Sequence, residues 1–457
     1  MTQITPYPAY RDTSITWLGH IPAHWEVKRL KWTIAYCQNG AWGDEPNGVD
    51  DVACVRVADF DRIKFRVNYP VPTFRALPKA ERRNKSLKKG DLLLEKSGGG
   101  DLQPVGFIVL YDSDEPAICS NFIARMPVKE NYDPNFLCYL HASLYTGKIN
   151  SQSIKQNTGL QNIDSAAYLN EKVAIPHLPE QRLIAAFLDC QTAKIDALIV
   201  KKQRLLKLLA EKRAAMISHA VTKGLNPDAE LKDSGVEWLG EIPAHWEVKN
   251  LKHFSNVMFS GVDKHSNEDE KTICLCNYVD VYKNEQISSD LDFMRATASF
   301  DEIKRFTLKK DDVLITKDSE SWNDIAVPAY VPNDLDNILC GYHLALIRPN
   351  PNEVDGRFLF RALQAKPINY QFELEATGIT RYGIDQYSVV STIFPIPPLP
   401  EQRIIAAFLD RETNKLDVLV VKTQSAIDRL REYRSALISA AVTGKIDVRE
   451  PSTSPGG

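Results

Sequence analysis

The sequence predicts an α+β protein: two α/β domains separated by two long helices packed as an antiparallel coiled coil, the whole forming a pseudo-twofold tandem repeat. Three observations lead there. WLGHIPAHWEVKRLK at 17–31 recurs as WLGEIPAHWEVKNLK at 238–252, a step of 221 positions. PEQRLIAAFLD at 179–189 recurs as PEQRIIAAFLD at 400–410, the same 221 positions on. Each PEQR block opens a long stretch without Pro or Gly, whereas the segments between the shared blocks differ greatly.

A step of this length is far beyond solenoid periods, so the repeated unit is a domain with its helix. From 179 to 222 and from 400 to 443, 26 of the 44 aligned positions are identical. Elsewhere only islands persist: LKKGDLL at 87–93 answers LKKDDVL at 308–314, and Ile163-Asp164 answers Ile384-Asp385. Such unequal divergence implies variable modules that face different ligands and shared ones that meet equivalent partners. The expected boundaries are a first domain at 1–178, a central helix at 179–224, and a second domain at 225–399 that opens with a linker at 225–235. A C-terminal helix at 400–446 and a disordered tail at 447–457 follow.

In chain order, Leu92–Leu94, 106–110 and 173–175 read as short buried strands, as do 312–315 and 344–347, while 135–144 and 356–365 read as short helices. Pro179 suits a helix's first turn, Glu180 complements the helix dipole, and Gly224 and Gly444 mark the stops. At 1.5 Å per residue the first long helix would be a rod of roughly 60–65 Å. Leu188, Ile195, Leu209 and Met216 share one heptad position and Leu198 and Leu205 the other, interrupted by Gln191, Lys202 and Lys212. Leu409, Leu416, Leu419, Leu430 and Leu437 repeat the spacing. The sister helix is the expected cover for each stripe, antiparallel if the halves are related by a pseudo-twofold. On this reading the two PEQR segments are not expected splayed apart, each buried in its own half.

The chain has 457 residues, 44% hydrophobic and 25% charged, with a net charge of −3, which is ordinary globular composition for two or more domains. It is not coated in positive charge, so any nucleic-acid contact uses local basic groups or a partner supplies part of the field. Eight scattered cysteines, an N-terminus without an apolar core and the lack of any apolar run of about 18 residues lead to the expectation of free thiols in a reducing cytoplasm. Only Cys274 and Cys276 are close, a poor metal signal, so no metal site is expected. Methyltransferase tetrapeptides such as N-P-P-[YF] and a Walker A loop are missing, and 227–232 mimics a nuclease signature with the wrong spacing. Catalysis by this chain is therefore not expected. A coiled-coil adaptor that binds proteins is the alternative, and a self-sufficient nuclease–methyltransferase the weaker one.

The repeated W-L-G-x-I-P-x-H-W-E-V block and the repeated P-E-Q-R-x-I-A-A-F-L-D helix start together resemble the specificity subunits of type I restriction–modification systems, over essentially the whole chain. The resemblance implies that each variable region is a target-recognition domain for one half of a split double-stranded DNA site. It implies that the helices hold the domains apart and dock two methyltransferase subunits. Those subunits carry S-adenosylmethionine, this chain binds no cofactor, and motor-nuclease subunits join for cleavage. One departure is that Asp318-Ser319-Glu320 and Trp322 replace the glycine-rich Ser97-Gly98-Gly99-Gly100.

Base reading needs amides, hydroxyls and guanidinium groups on exposed loops. In the first domain the candidates are Lys96, Ser97, Gly98, Gly99 and Gln103, with Lys155, Gln156, Asn157, Thr158, Gln161 and Asn162. In the second they are Lys317, Ser319, Tyr342, His343, Thr380, Arg381 and Tyr382. Lys88, Lys89, Lys309 and Lys310 are phosphate contacts or solvated turns. Candidates for subunit docking are Trp17, Trp25, Trp238 and Trp246, with Glu180, Gln181, Arg182, Glu401, Gln402 and Arg403. The tryptophans have a second reading, packing of the N-terminal block onto its own domain.

Overall fold

The computed structural model describes residues 5–100, 102–157, 159–265 and 267–449. The chain forms two compact units, 1–202 with 425–457, and 203–424, so the division falls within each long helix instead of at its ends.

In unit one the apolar run Asp91–Glu95 is buried throughout. It pairs antiparallel with Ile108–Leu110 on one side and Ile123–Pro127 on the other. Among the described residues these belong to a six-stranded sheet in the order Gln38–Asn39, Ile123–Pro127, Asp91–Glu95, Ile108–Leu110, Arg66–Val67, Phe60–Asp61. The helix Pro134–Thr146 begins where Asp133 accepts a hydrogen bond from the Phe136 N–H at 2.9 Å, and it shares the core with that sheet through Phe136, Leu137 and Leu140. A second sheet sets Ala117–Cys119 parallel to Asp51–Val55.

Unit two repeats the plan. Val313–Thr316 is buried between Leu344–Pro349 and Pro328–Tyr330, and Ile338–Cys340 runs parallel to Lys271–Cys276. Asp355 caps the helix Gly356–Gln364. The turn before the central strand is left-handed in both units, at Gly90 (φ 95°) and Asp311 (φ 69°), and aspartate is among the few side chains that tolerate this.

The shared N-terminal block closes each domain. Glu26–Arg29 pairs antiparallel with Lys172–Ile175, which feeds the central helix, and Glu247–Asn250 pairs likewise with Ile393–Ile396. The linker expected at 225–235 is partly strand: Leu231–Asp233 pairs with Glu241–Pro243, as Tyr10–Asp12 pairs with His20–Pro22. The expected tail is ordered at its start, where the Asp447 N–H donates to the Thr5 carbonyl at 2.8 Å, and its remainder, 450–457, lies outside the described residues.

The long helices are Leu178–Lys223, 46 residues, and Leu399–Val442, 44 residues. In unit one the start of the central helix (Ile184, Leu188, Ile195) shares a core with the end of the C-terminal helix (Leu437, Ile438, Ala441). In unit two the end of the central helix (Ile217, Ala220, Val221) meets the start of the other (Ile405, Ala406, Leu409). The pairing is antiparallel. Glu180 therefore lies in unit one and Glu401 in unit two: each PEQR segment packs in its own half, with Gln181 and Gln402 buried and Arg182 and Arg403 exposed. The pairing survives because antiparallel helices place each start beside the partner's end.

The seam also differs from the expected stripe. Its second heptad position is Thr192, Ile199, Leu206, Arg213 and Ala220, buried or half-buried, whereas Leu198 and Leu205 are 47% and 43% exposed. Leu419, at 48%, is exposed for the same reason. The seam residue lies four positions past Leu188 and Ile195, not three, and Thr192 and Arg213 disguised it as polar. The C-terminal helix has the same register, with Thr413, Val420, Ile427, Arg434 and Ala441. All eight cysteines are free thiols. Among the described residues no helix is long and apolar enough to cross a membrane, and no cluster of metal-ligating side chains occurs.

Candidate nucleic-acid interface

The central strand of each domain leads into a short strand that gathers the polar loops. In unit one, Ser97–Gly98 pairs with Leu160–Ile163, which pairs with Ile154–Asn157, so two loops far apart in sequence form one small sheet. In unit two Asp318–Ser319 pairs with Tyr382–Gly383 at the equivalent positions. The turn after the parallel strand abuts each: the Lys96 N–H donates to Phe122 O at 2.8 Å, and the Lys317 N–H to His343 O at 3.1 Å.

On unit one, Ser97 bonds Asn162, and Lys96 Nζ donates to Asn39 Oδ1 at 2.9 Å. Lys155 pairs with Asp164 at 2.8 Å, which holds that carboxyl below its usual range. Gln156, Asn162 and Gln103 are exposed, as are Asn121 and Phe122. Gly99, at φ 60°, has a structural task, since a Cβ there would meet Val105 N at 2.8 Å. Gly98 (φ 118°) has open space around it. The Asn157 side chain and Thr158 lie outside the described residues.

On unit two, Lys317 Nζ lies 4.4 Å from the centroid of the half-exposed Tyr342 ring, and burial pulls its ammonium below the usual range. His343 Nδ1 stands 2.7 Å from Asp318 Oδ2, and Arg381 Nε 3.5 Å from Asp318 Oδ1. The carboxylate thus holds an imidazole and a guanidinium side by side. Thr380 and Arg381 are exposed, and Tyr382 is half-buried.

Two candidates face inward and are corrected. Gln161 is buried and its Oε1 accepts from the Val105 N–H at 3.3 Å. Ser319 is buried and its Oγ accepts from the Ser321 N–H at 3.2 Å. Period-two alternation along a strand turns each to the core while its neighbours Asn162 and Asp318 face out or half out. Lys88–Lys89 and Lys309–Lys310 precede the central strand and so stand at its opposite end from the gathered loops. Asn39, Asn121 and Phe122 are the additions. The 221-residue step maps Asn121-Phe122 onto Tyr342-His343, a signal present in the sequence.

Half of the expected docking residues hold their own unit together. Trp25 and Trp246 are 1% and 0% exposed, and neither has a face left for a partner. Glu180 is buried, accepting from Tyr7 Oη at 2.8 Å and Trp25 Nε1 at 3.1 Å, with His24 Nε2 at 2.9 Å. Gln181 is buried and accepts from the Asp133 N–H at 2.9 Å, and Gln402 likewise from the Asp355 N–H, tying each long helix to the cap of its domain's helix. These five are structural, as the sequence's second reading had it for the tryptophans. Trp17 and Trp238 are half-buried against their cores, Glu401 is half-buried, and Arg182 and Arg403 are exposed. Beside those arginines Leu183 and Ile404 are 49% and 62% exposed at equivalent positions.

Two units on one plan, each with a differently furnished polar strip at the end of its central strand, define a protein with paired recognition domains. A family model, the type I restriction modification DNA specificity domain, matches residues 64–207 and 243–427. The chain belongs to this family. It is 24% identical over 445 residues to a protein of Methanocaldococcus jannaschii named putative type I restriction enzyme MjaX specificity subunit, covering 95% of this chain and 96% of that one. It is 22% identical to the type I restriction enzyme StySPI specificity subunit of Salmonella potsdam, covering 73% and 70%. A chain solved in a study of complex assembly and conformational transition of the type I R-M system matches with a TM-score of 0.70 at 15% identity, covering 93% and 99%. The HsdS subunit from Thermoanaerobacter tengcongensis matches at 0.52 and 15%, covering 93% and 98%. These likenesses show that the fold is shared.

Proposed function

We propose that the two units read the two halves of a bipartite, asymmetric DNA site, with the paired helices fixing the spacer. The chain recognises DNA sequence, as its family does; the division of labour is the proposal. What carries it is one contrast: around equivalent strand pairs, beside a lysine common to both (Lys96 and Lys317), unit one presents amides (Asn39, Asn121, Gln156, Asn162) and unit two His343 and Arg381. Amides pair well with adenine and guanidinium groups with guanine. Two scaffolds alike in fold but unlike in hydrogen-bonding groups suit two different base sequences. A 46-residue helix is about 69 Å long, ample to space half-sites about 34–36 Å apart.

Methylation and cleavage belong to partners. Two methyltransferase subunits, which hold S-adenosylmethionine, dock on equivalent surfaces of the two repeats, and motor-nuclease subunits join them. Support for two equivalent docks comes from matched exposed apolar pairs on the helices, Leu183 with Ile404 and Leu198 with Leu419.

Binding to duplex DNA in the presence of the methyltransferase, titrated with salt, tests the reading. A log–log slope of several units, about 0.9 per phosphate neutralised, is expected. A flat profile sinks it and favours a protein-binding adaptor.

A further inference from the structure

The two helices offer each domain the same socket, and the domains fill it differently. In unit one the socket is Asp189, Thr192 and Asp196 of the central helix with Arg434 of the other; in unit two it is Asp410, Thr413 and Asp417 with Arg213, each position displaced by 221. Unit one inserts Tyr139, whose hydroxyl donates to Asp189 Oδ1 at 2.7 Å and lies 3.4 Å from Thr192 Oγ1. Unit two inserts Arg361, whose Nε and Nη2 donate to Asp410 Oδ1 at 3.1 and 2.9 Å and whose Nη2 donates to Thr413 at 3.2 Å.

Each socket arginine reaches from its own helix to the other helix and to its domain, Arg434 by three contacts and Arg213 by two. Arg434 grips Asp196 with Nε and Nη2 at 2.9 and 3.2 Å, donates to the Ile63 carbonyl at 2.6 Å, and lies 5.0 Å from the Phe65 ring centroid. Ile63 and Phe65 form the turn between Phe60–Asp61 and Arg66–Val67, on the sheet that carries unit one's polar strip. Arg213 lies 3.6 Å from Asp417 Oδ1 and pairs with Glu285, which stands 221 positions after Lys64 of that turn. Glu285 also receives Arg361 Nη1 at 3.2 Å and Gln364 Nε2 at 3.0 Å.

We infer that Arg434 and Arg213 are positioning residues: each bridges both helices to one turn of its recognition domain and sets the angle at which that domain meets its half-site. Among the described residues neither has a hydrogen bond, ion pair or ring contact to the polar strip. Their effect falls on register. One base pair of spacer turns the duplex by about 35°, so a domain free to swivel on its helices tolerates spacers that a clamped one rejects. Repetition of the clamp in two domains of different sequence argues against an incidental surface pair.

The inference rests on the bipartite reading, and the experiment separates the two. The full chain and its Arg434→Met, Arg434→Lys and Arg213→Met variants are each expressed with the partner methyltransferase, and the methylated sites are sequenced. If the unaltered chain yields no split motif, the bipartite reading fails. Given a split motif, Arg434→Met keeps every half-site base. It loses about tenfold in discrimination against spacers one base pair longer or shorter, the order expected for one charge-assisted contact. Arg434→Lys, which keeps one charged bond, falls between. Unaltered spacer discrimination in both Arg434 variants, or a change in half-site bases, overturns the inference. Hydrogen exchange at 91–95 verifies that the domain is folded, and should Arg434→Met unfold it, Arg434→Lys decides.

Discussion

Glu180 and Glu401 occupy the same place in identical PEQR segments, yet their removal is expected to have unequal consequences. Glu180 is buried, and in Glu180→Ala the Tyr7 hydroxyl and Trp25 indole N–H, both buried, lose their acceptor. An unmet buried donor costs about 1–3 kcal/mol, and the half-exposed His24 adds little, so the loss is about 3 kcal/mol in unit one. Glu401 pairs at 2.7 Å with His245, whose side chain is 51% exposed, and Glu401→Ala costs about 0.5 kcal/mol. Among the described residues the Trp246 indole N–H has no hydrogen-bond acceptor even in the unaltered chain, so Glu401→Ala removes none there. Hydrogen exchange across a urea series resolves the units, which need not unfold together. With a slope of about 3 kcal/mol per molar urea, the unit-one midpoint falls by about 1 M in Glu180→Ala and unit two barely moves in Glu401→Ala. Equal shifts, or a larger one for Glu401→Ala, would refute the asymmetry.

Leu209→Ala in the helix seam is expected to cost about 2–4 kcal/mol by urea melting, while Leu205→Ala, at an exposed position, stays within about 0.5 kcal/mol; similar losses would restore the rejected seam. Burial pushes His141 down to about 3, with its Nδ1 2.7 Å from the Tyr168 hydroxyl. A folded pKa below the unfolded value gives stability that is present above about 6.5 and lost as pH falls toward 3. The loss should therefore approach about 1.4 kcal/mol per pH unit within that window and shrink in His141→Phe, and an unchanged pH profile in that variant would contradict this. Arg381→Ala should relax one position of one half-site and leave the other half intact, as read from the methylated sites; changes in both halves would remove Arg381 from base reading.

The repeat made most of the architecture legible. Trp17 and Trp238 fixed the step, and apolar runs such as Leu92–Leu94 became the buried strands they looked like. A heptad seam that includes Thr192 and Arg213 cannot be found by following leucines, which place Leu198 and Leu205 inside although both are exposed. Loop composition shows which residues could bond a base, not which way they point; strand alternation turned Gln161 and Ser319 inward. The joining of the 95–103 and 155–162 loops into one sheet depends on contacts between residues more than fifty positions apart, which no local pattern encodes. Asn121 and Phe122 were accessible by mapping Tyr342 and His343 back through the repeat.

The central claim is that each unit reads its half independently. Replacing residues 1–177 with the corresponding domain of another family member, and sequencing the adenines methylated with the partner methyltransferase, tests it most directly. The account predicts a new first half-site, an unchanged second half-site and the same spacer. A motif altered in both halves would contradict it.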